Sequence, residues 1–429
     1  MKKGINNKII AVIGLGYVGL PLAFLAEKKG YKVIGVDVSS EKVKLLNKRV
    51  APFADYEIAE KLKNSFLEAT TDFSRTKDAS VIIICVPTPI YENHVPNLEP
   101  IENACRNIAP FLQKGQLVVL ESTVNPGVSE SIVLPILEKE SGLICGKDFY
   151  LAHCPERINP GDEKWNVENI NRVVGGFDEV SLQKATEFYT SIISAEIKPM
   201  ASLKEAEAVK IVENTFRDIN IAFANELAMS FSKLGIDVVN VINGAATKPF
   251  AFLAHYPGCG VGGHCIPVDP YYLIEYAREN GFDHDFLSLA RRINSKMPEF
   301  TAELVATGLN EKKLSINGAK VAVLGLAYKP EIDDYRESPS FAMIKYLEKH
   351  GAKVVSFDPF VLHKSTVKTL EEAVAGAQAI IIATAHNVFK KLEPGYLLQN
   401  GVKVVVDGRN CLPKEKFIKA EIVYKGIGR

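Results

Sequence analysis

The fold of this chain is decided near its beginning, where an apolar run is followed by three closely spaced glycines in the stretch Gly14-Leu15-Gly16-Tyr17-Val18-Gly19. Residues 8–13 predict a strand, residues 20–26 predict a helix, and residues 31–36 predict a second strand. An acid, Asp37, follows that second strand, 23 residues after the first glycine. This order of strand, glycines, helix, strand and acid is typical of a dinucleotide-binding unit.

The chemistry of the same stretch predicts NAD as the cofactor. Glycines let a pyrophosphate approach the backbone at the helix N-terminus, where unpaired N–H groups favour an anion. The carboxylate of Asp37 is placed to bind the ribose hydroxyls and would repel the 2′-phosphate of NADP. A glycine-rich turn without a ligand is the alternative. The candidate cofactor-binding residues here are Gly14, Gly16, Tyr17, Val18, Gly19 and Asp37.

Length and composition indicate a globular protein of two or three domains. The chain has 429 residues, of which 47% are hydrophobic and 24% charged, as in ordinary soluble proteins. Its 51 basic and 51 acidic residues balance, so no net charge favours nucleic acid or an anionic membrane surface. The apolar run at 81–86 is too short to span a bilayer, and the N-terminal apolar run is interpreted as a strand rather than a signal peptide.

The cysteines argue against both a disulfide framework and a metal site. Seven cysteines, an odd number, are scattered along the chain, which fits a reducing cytoplasm. The pairs His153-Cys154 and His264-Cys265 lack CxxC spacing and a matching pair of histidines. The sequence therefore predicts a cytoplasmic protein that holds no metal.

Three further strands are predicted in the N-terminal half, at 81–86, 116–120 and 149–152. The last of them is expected to end the sheet, and residues 47–73 are expected to be mostly helical. Strand ends form the ligand crevice of an open α/β sheet, and these strand ends are followed by Thr88, Thr123 and Glu156. On its own, Thr123 is more readily a helix cap than a catalyst. Glu156 is either a general acid or base or a solvated loop residue.

The longest helical pattern runs from 204 to 234 and stops at Gly235. Lys210 and Asn214 lie four residues apart and therefore share one face of this helix. On a helix that joins two domains, the pair would hold an oxyanion or a hydroxyl. The length of the helix exceeds the need of one domain, which predicts a homodimer. Residues 271–295 are expected to form a further helix.

Four glycines lie in the six residues from 258 to 263, and the chain then reaches Cys265 and, four residues later, Asp269. A glycine-rich loop that ends in a cysteine provides what covalent catalysis needs, an approachable nucleophile with a proton-moving group nearby. A tight turn with an inert buried cysteine is the alternative reading of this loop taken alone.

A second α/β unit is predicted from strands at 320–324, 353–357, 379–383 and 402–406. Its opening resembles that of the first unit but lacks the GxGxxG spacing, so a different nucleotide is expected there. Lys329, Arg336 and Arg409 are available for its phosphates. The sequence thus predicts an α/β fold of two Rossmann-like doubly wound domains joined by a long central helix. The predicted domains are 1–200 for NAD, 201–300 as a central helical dimerisation domain with the cysteine loop, and 301–429 as the second nucleotide-binding domain.

Taken together, these motifs resemble the UDP-glucose/GDP-mannose dehydrogenase family over about residues 8 to 412. The resemblance rests on the segments 14–21, 121–127, 206–215, 262–265, 269–273 and 336–338. It implies a four-electron oxidation of the C6 alcohol of a UDP-sugar to the carboxylate, with two NAD⁺. A Cys265 thiohemiacetal and then a thioester would be the covalent intermediates.

The resemblance also implies roles for individual residues. Lys210 and Asn214 would stabilise the oxyanion, while Asp269, Thr123 and Glu156 would position or activate water, and which carboxylate is the base stays open. Arg336 would reach the cofactor, and Thr88 and Thr123 join the cofactor-binding candidates. The candidate substrate-binding residues are Glu156, Arg157, Lys210, Asn214, Tyr256, Gly262, Lys329 and Arg409.

One departure from the family pattern bears on the sugar. Members that act on UDP-glucose carry a second glutamate four residues after the first, and this chain has Pro160 there. The Pro160-Gly161 variant, Tyr256 and His264 resemble the branch that acts on UDP-N-acetylhexosamines. UDP-N-acetylglucosamine is the favoured substrate, UDP-N-acetylmannosamine comes next, and UDP-glucose is the alternative. The product would serve a surface polysaccharide or glycan.

Two other classes of protein are weighed against this interpretation. A two-electron β-hydroxyacid dehydrogenase also has a helix with Lys and Asn four residues apart, but Cys265 and the second nucleotide-binding half argue against it. A catalytically silent NAD-binding regulator is disfavoured because every nominated catalytic position is filled.

Overall fold

The computed structural model describes residues 8–53, 56–91, 95–157, 164–263 and 265–429. The chain divides into two compact units, each built from two segments. The first unit comprises Met1–Glu213 and Tyr271–Phe282, and the second comprises Asn214–Pro270 and Asp283–Arg429. The division into three domains at residues 200 and 300 stays a prediction.

The first unit is built on an eight-stranded sheet in the order β3-β2-β1-β4-β5-β6-β7-β8. Neighbouring strands are parallel except for β6 and β7, which are antiparallel. The order reverses between β1 and β4, so the carboxyl ends of these two strands form the crevice where an open α/β sheet binds its ligand. The strands are β1 Ile9–Ile13, β2 Lys32–Val36, β3 Glu68–Thr70, β4 Val81–Ile84, β5 Leu117–Leu120, β6 Tyr150–His153, β7 Arg172–Gly176 and β8 Ile197–Pro199.

Helices cover both faces of this sheet because its central strands are apolar on both sides. Ile10 and Val12 of β1 pack on one face, and Ala11 and Ile13 pack on the other. The first face is covered by α1 Gly19–Lys28, α2 Ser40–Asn47, α3 Tyr56–Lys63 and α6 Glu179–Ile192, and the second by α4 Glu99–Ile108 and α5 Leu134–Ser141. Shorter 3₁₀ and π segments lie at Phe73–Asp78, Ala109–Phe111 and Ser129–Val133.

The predicted strands of this unit are confirmed, but two expectations were wrong. Residues 47–73 are not mostly helical, because α3 is short and is followed by the edge strand β3. The strand at 149–152 does not end the sheet, since β7 and β8 extend it. β8 is three residues long and contains a proline, which made it invisible to a pattern search.

The predicted central helix is confirmed as α7 Leu203–Leu234, which ends at Gly235 with a positive φ of 66°. Its first turns belong to the first unit and the rest, from Asn214 onward, to the second. The single helix expected over 271–295 was wrong. Two helices are present, with Gly281 at a φ of 84° between them. After α8 Val238–Ala245, these are α9 Asp269–Glu279 and α10 Asp285–Glu311.

The second unit contains a five-stranded parallel sheet in the order β10-β9-β11-β12-β13. Its strands are β9 Lys320–Leu324, β10 Lys353–Phe357, β11 Ala379–Ile382, β12 Val404–Asp407 and β13 Val423–Gly426, of which the last was not predicted. The helices are α11 Pro339–Lys349, α12 Leu370–Val374, α13 Asn387–Lys390, α14 Pro394–Gln399 and α15 Lys414–Lys419. The predicted α/β class, with two parallel-sheet halves and a long central helix, is confirmed.

Within the described ranges, no helix combines the length and the apolar character needed to cross a bilayer.

Candidate active site residues in the two units

The glycine loop between β1 and α1 uses each glycine for a different physical reason. Gly14 has a φ of 93°, and a Cβ there would lie 2.6 Å from the carbonyl oxygen of Cys85. A Cβ on Gly19 would lie 2.0 Å from the carbonyl oxygen of Gly14. A Cβ on Gly16 would meet no atom within 4 Å. Gly14 and Gly19 are therefore required by packing, while Gly16 leaves open space beside the N-terminus of α1, where the sequence predicts the pyrophosphate.

Hydrogen bonds fix the Asp37 carboxylate beside the glycine loop, with which it is predicted to bind NAD. Its Oδ2 accepts a hydrogen bond from the backbone N–H of Leu15 at 2.9 Å, and its Oδ1 accepts one from that of Ser39 at 3.0 Å. Lys42 of α2 forms an ion pair with Oδ2 at 2.6 Å. Lys42 was not singled out from the sequence, although its position five residues after the acid, in the first turns of a helix, is a usable signal.

Three more cofactor candidates lie in this loop or at the same sheet edge. Tyr17 stacks on Phe53 with ring centroids 4.0 Å apart. Thr88, which follows β4, is buried, and its carbonyl oxygen accepts a hydrogen bond from the Tyr272 hydroxyl at 2.7 Å. Val18 immediately precedes α1. The carboxyl ends of parallel strands thus bring the predicted residues of this unit to one edge.

The loop that carries Thr123 is fixed by Glu207 of α7, which the sequence did not single out. Glu207 is buried and accepts hydrogen bonds from the backbone N–H groups of Gly127 at 2.5 Å and Ser129 at 2.8 Å. Burial raises the pKa of Glu207, and these hydrogen bonds oppose that effect. Lys210 lies one helical turn after Glu207 on α7. The hydrogen bonds of Glu207 therefore join the loop that carries Thr123 to the helix that carries Lys210, and both of these side chains are partly exposed.

Glu156 and Arg157 follow β6, and both are held by ion pairs. The Oε2 of Glu156 accepts a hydrogen bond from the guanidinium of Arg172 at 2.8 Å, and its Oε1 accepts one from the backbone N–H of Arg157 at 2.6 Å. Arg157 pairs with Glu213 through its Nε at 3.2 Å. Glu156 is buried, so the solvated-loop reading of this residue was wrong.

In the second unit, Asp269 is the first residue of α9, and Cys265 lies four residues before it. The carbonyl oxygen of Cys265 accepts hydrogen bonds from the backbone N–H groups of Val268 at 3.1 Å and Asp269 at 2.8 Å. The buried Asp269 carboxylate accepts a hydrogen bond from the Nδ2 of Asn214 at 2.5 Å. Cys265 itself is exposed, so the alternative of an inert buried cysteine was wrong.

The glycines before Cys265 are required by the packing of their own unit. A Cβ on Gly262 would lie 2.8 Å from both the Glu337 carbonyl oxygen and the Tyr328 side chain. Gly263 has a φ of 89°, and its N–H donates to the carbonyl oxygen of Arg336 at 3.0 Å. The loop is therefore held against the segment that carries Tyr328 and Arg336.

Arg336 lies close enough to Cys265 for their charges to interact. Its pKa is raised chiefly by a hydrogen bond to Asp334, and Cys265 and Tyr328 add smaller contributions. The pKa of Tyr328 is raised first by burial and then by Asp334 and Cys265. The structure thus adds Tyr328 to the surroundings of the thiol and identifies Asp334 as the partner of Arg336, neither of which the sequence had indicated.

The remaining substrate candidates lie in the second unit. The Nε of Arg409 donates to the carbonyl oxygen of Ala383 at 2.7 Å, and a Cβ on Gly258 would lie 2.9 Å from its Nη1. The hydroxyl of Tyr256 donates to Asn243 at 2.8 Å, and half of the Tyr256 side chain is exposed. Lys329 is partly buried. Pro160, Gly161 and His264, on which the choice of sugar rested, lie outside the described residues.

Three models of one protein family match successive parts of this chain. The NAD binding domain of the UDP-glucose/GDP-mannose dehydrogenase family matches residues 8–193, its central domain matches 204–296, and its UDP binding domain matches 322–414. The chain belongs to this family. It is accordingly an NAD-dependent oxidoreductase, and the glycine loop and Asp37 lie in its NAD binding domain.

Relatives of this dehydrogenase agree over nearly its whole length. It is 39% identical to a UDP-N-acetyl-D-mannosamine dehydrogenase of Pyrococcus horikoshii over 98% of this chain and 99% of that one. It is 37% identical to a UDP-N-acetyl-D-glucosamine 6-dehydrogenase of Pseudomonas aeruginosa over 89% of this chain and 92% of the relative. A solved structure of the UDP-D-ManNAc dehydrogenase from Pyrococcus horikoshii superposes with a TM-score of 0.92, covering 98% and 99% of the two chains.

Proposed function

We propose that this dehydrogenase oxidises the C6 hydroxyl of a UDP-N-acetylhexosamine to the carboxylate, with UDP-N-acetylglucosamine as the favoured substrate and UDP-N-acetylmannosamine next. The observation that carries the proposal is the exposed Cys265 just before α9, with the Asp269–Asn214 pair beside it and the charge of Arg336 acting on it. The names of both relatives above support an N-acetylated sugar. The product would serve a surface polysaccharide or glycan.

The reaction needs four electrons to be removed from one carbon. Bound NAD accepts a hydride in each of two oxidations. After the first, the thiolate of Cys265 adds to the aldehyde and retains it as a thiohemiacetal, which presents an sp³ carbon for the second. The second oxidation gives a thioester, which water hydrolyses to the carboxylate. A simple alcohol dehydrogenase would have no use for this exposed thiol.

The other predicted residues supply charge and proton transfer. Lys210 and Asn214, one helical turn apart on α7, are proposed to stabilise the developing oxyanion. Glu156, Asp269 and Thr123 are proposed to position or activate water. Positive charge favours the thiolate over the thiol, and Arg336 supplies such charge within the second unit. Lys329 and Arg409 are proposed to bind the UDP part.

We also expect the dehydrogenase to act as a homodimer. Phe216 and Phe223 lie seven residues apart on one face of α7, and both are about half exposed. Phe250 and Leu253 of the same unit are 66% and 64% exposed. Exposed apolar side chains in this number favour a protein partner, and a second copy of the chain is the partner that we propose.

The test is the number of NADH molecules formed per molecule of limiting sugar. We expect two NADH with UDP-N-acetylglucosamine or UDP-N-acetylmannosamine, and little turnover of UDP-glucose. Mass spectrometry of acid-quenched enzyme should find the uronyl thioester on the Cys265 peptide. Cys265→Ala should abolish NADH formation, while Cys105→Ala, which removes a core thiol, should retain it. One NADH per sugar would refute the thioester scheme, and exclusive turnover of UDP-glucose would refute the choice of sugar.

A further inference from the structure

A single guanidinium is shared by two carboxylates in the core of the first unit. The Nη2 of Arg172, on β7, lies 2.8 Å from the Oε2 of Glu156, and its Nη1 lies 3.3 Å from the Oε2 of Glu121. Neither Arg172 nor Glu121 has any exposed side-chain surface, while the Glu156 side chain is 9% exposed. The hydroxyl of Tyr189, on α6, donates to the Oε1 of Glu121 at 2.5 Å.

Among the described residues, this cluster pairs the two carboxylates of Glu121 and Glu156 with one guanidinium. The other titratable groups that face it are Tyr189 and the thiols of Cys85, after β4, and Cys154, after β6. Burial raises the pKa of both thiols and of Tyr189 well above their usual values, so all three are neutral. Among the described residues, Arg172 is therefore the cation that these two glutamates share.

The excess charge makes Glu121 the group that takes up a proton. Burial, and then the neighbouring Glu156, raise the pKa of Glu121 to about 7 against the opposing effects of Arg172 and Tyr189. Above this pH, Arg172 divides its charge between two carboxylates. Below it, Glu121 is neutral and Arg172 acts on Glu156 alone.

We propose that Arg172 and Glu121 are positioning residues for Glu156: Arg172 fixes the Oε2 of Glu156, and Glu121 balances the guanidinium so that Glu156 can act as the base in thioester hydrolysis. This inference rests on the proposed function. In the step concerned, the water oxygen bonds to the acyl carbon, the carbon–sulfur bond breaks and the sulfur leaves as a thiolate. The proton of the water passes to Glu156, and the acid product releases its own proton to solvent.

A carboxylate that faces an undivided cation in a buried site is a weaker base. The activity of the wild-type enzyme should therefore decline on the acid side as Glu121 gains its proton, with an inflection near pH 7. Glu121→Gln removes the charge at every pH while retaining an acceptor for the Tyr189 hydroxyl. It should hold the enzyme in the state that the wild type reaches only at low pH.

The experiment compares pH profiles of kcat and KM for wild type, Glu121→Gln and Tyr189→Phe. Glu121→Gln should lower kcat above pH 7 about tenfold, lose the inflection and leave KM unchanged. Tyr189→Phe removes a hydrogen bond that favours the ionised carboxylate, so it should move the inflection to higher pH. Glu168→Gln is the matched control. It removes the carboxylate that pairs with Lys28 and Lys29 at the surface of the same unit, and the profile should not change.

A folded Glu121→Gln enzyme that keeps the wild-type inflection, whatever its rate, would overturn the inference. If that variant does not fold, the direction of the shift in Tyr189→Phe decides. An infrared titration of the enzyme without sugar should show a carboxyl band that disappears near pH 7 and is missing in Glu121→Gln, and a wild type without the band would contradict the assignment. Failure of the proposed function shows separately, as a wild-type yield other than two NADH per N-acetylated sugar.

Discussion

The two sheets each carry an aspartate at the same position, and the two aspartates have different surroundings. Asp37 follows β2 and Asp358 follows β10, and each of these strands pairs with the first strand of its sheet. Each carboxylate accepts a hydrogen bond from the loop after that first strand, from Leu15 N–H at 2.9 Å and from Leu326 N–H at 2.6 Å. The local architecture is thus the same in both halves.

The hydrogen-bond donors around the Asp358 carboxylate all belong to its own unit. Asp358 has no exposed surface, and its oxygens accept five hydrogen bonds, from the N–H groups of Leu326, Ala327, Phe360 and Val361 and from the Nε2 of His386. Phe360 stacks on the His386 ring with centroids 5.0 Å apart and covers the site. Asp37 has fewer donors and a cation, Lys42, whose side chain is 29% exposed.

The glycine loops that follow the first strand of each sheet also differ between the two units. The first unit has Gly14-Leu15-Gly16, and the second has Gly325-Leu326-Ala327, so the second glycine is replaced by an alanine. Gly16 borders open space, whereas Ala327 is buried and donates its N–H to Asp358. The same pattern of strand, glycine and acid can therefore stabilise a loop by hydrogen bonds as readily as it can form a nucleotide-binding site. The second glycine, and an acid whose cation partner is partly exposed, distinguish the two.

The largest expected effect on stability comes from replacing the aspartate of each half by alanine. Asp358→Ala leaves five buried donors without an acceptor, so we expect it to lower the free energy of unfolding by about 3–5 kcal/mol. Asp37→Ala should cost less stability, about 1–2 kcal/mol, because its partner Lys42 can turn to water. Chemical denaturation followed by circular dichroism measures both. Equal losses would mean that the two aspartates are equally structural.

Alanine at the glycines separates packing from ligand binding. Gly14→Ala and Gly325→Ala introduce a Cβ at a positive φ and within 2.6 Å and 2.4 Å of other atoms, so each should cost about 2–4 kcal/mol of stability. Gly16→Ala should leave stability almost unchanged and weaken NAD binding about tenfold, because its methyl group enters the space that the pyrophosphate needs. Calorimetric titration with NAD and thermal unfolding test the contrast. A Gly16→Ala protein that binds NAD normally would contradict it.

A change of charge at Asp37 tests cofactor choice without altering shape. Asp37→Asn should weaken NAD binding about tenfold and NADP binding less, because the ribose loses a charged acceptor while the repulsion of a 2′-phosphate disappears. Equilibrium binding of both nucleotides gives the ratio. Glu41→Gln, in the first turn of α2, is the control and should leave the ratio unchanged. An unaltered ratio in Asp37→Asn would remove Asp37 from the specificity.

The smallest expected effect is a difference in how two buried acids respond to pH. Burial alone would raise the pKa of Asp358, but the hydrogen bonds from His386, Ala327 and Leu326 outweigh it and lower the pKa below the ordinary 3.8. The stability that Asp358 contributes is therefore complete above that value and is lost as the pH falls through its folded-state pKa. Glu121, whose pKa is raised to about 7, behaves in the opposite way.

The contribution of Glu121 is complete below its ordinary value of 4.5 and is lost as the pH rises through about 7. Free energies of unfolding measured as a function of pH test both signs. Compared with the wild type, Glu121→Gln should show a weaker pH dependence between 4.5 and 7, and Asp358→Asn should show a weaker pH dependence below 3.8. A steeper dependence in either variant would reverse the assigned sign.

The sequence by itself determined the α/β class, the central strands of both sheets, the long helix α7 and the glycine loop with Asp37. These features are local, because apolar periodicity and covalent spacing encode them over a few tens of residues. It also singled out Cys265 and Asp269, since both fall within one short glycine-rich segment. It did not detect β8, whose three residues carry no usable pattern.

Only the tertiary structure decided which charges meet. Arg172 lies 51 residues from Glu121, and His386 lies 28 residues from Asp358. Nothing in the sequence near either residue indicates its partner, because such pairs form when different strands and helices pack together. The same packing buries Asp358 completely and leaves Gly16 beside open space. The sequence therefore specified two similar halves. Packing enclosed Asp358 completely among donors of its own unit, whereas the buried Asp37, 6% exposed, pairs with a partly exposed lysine.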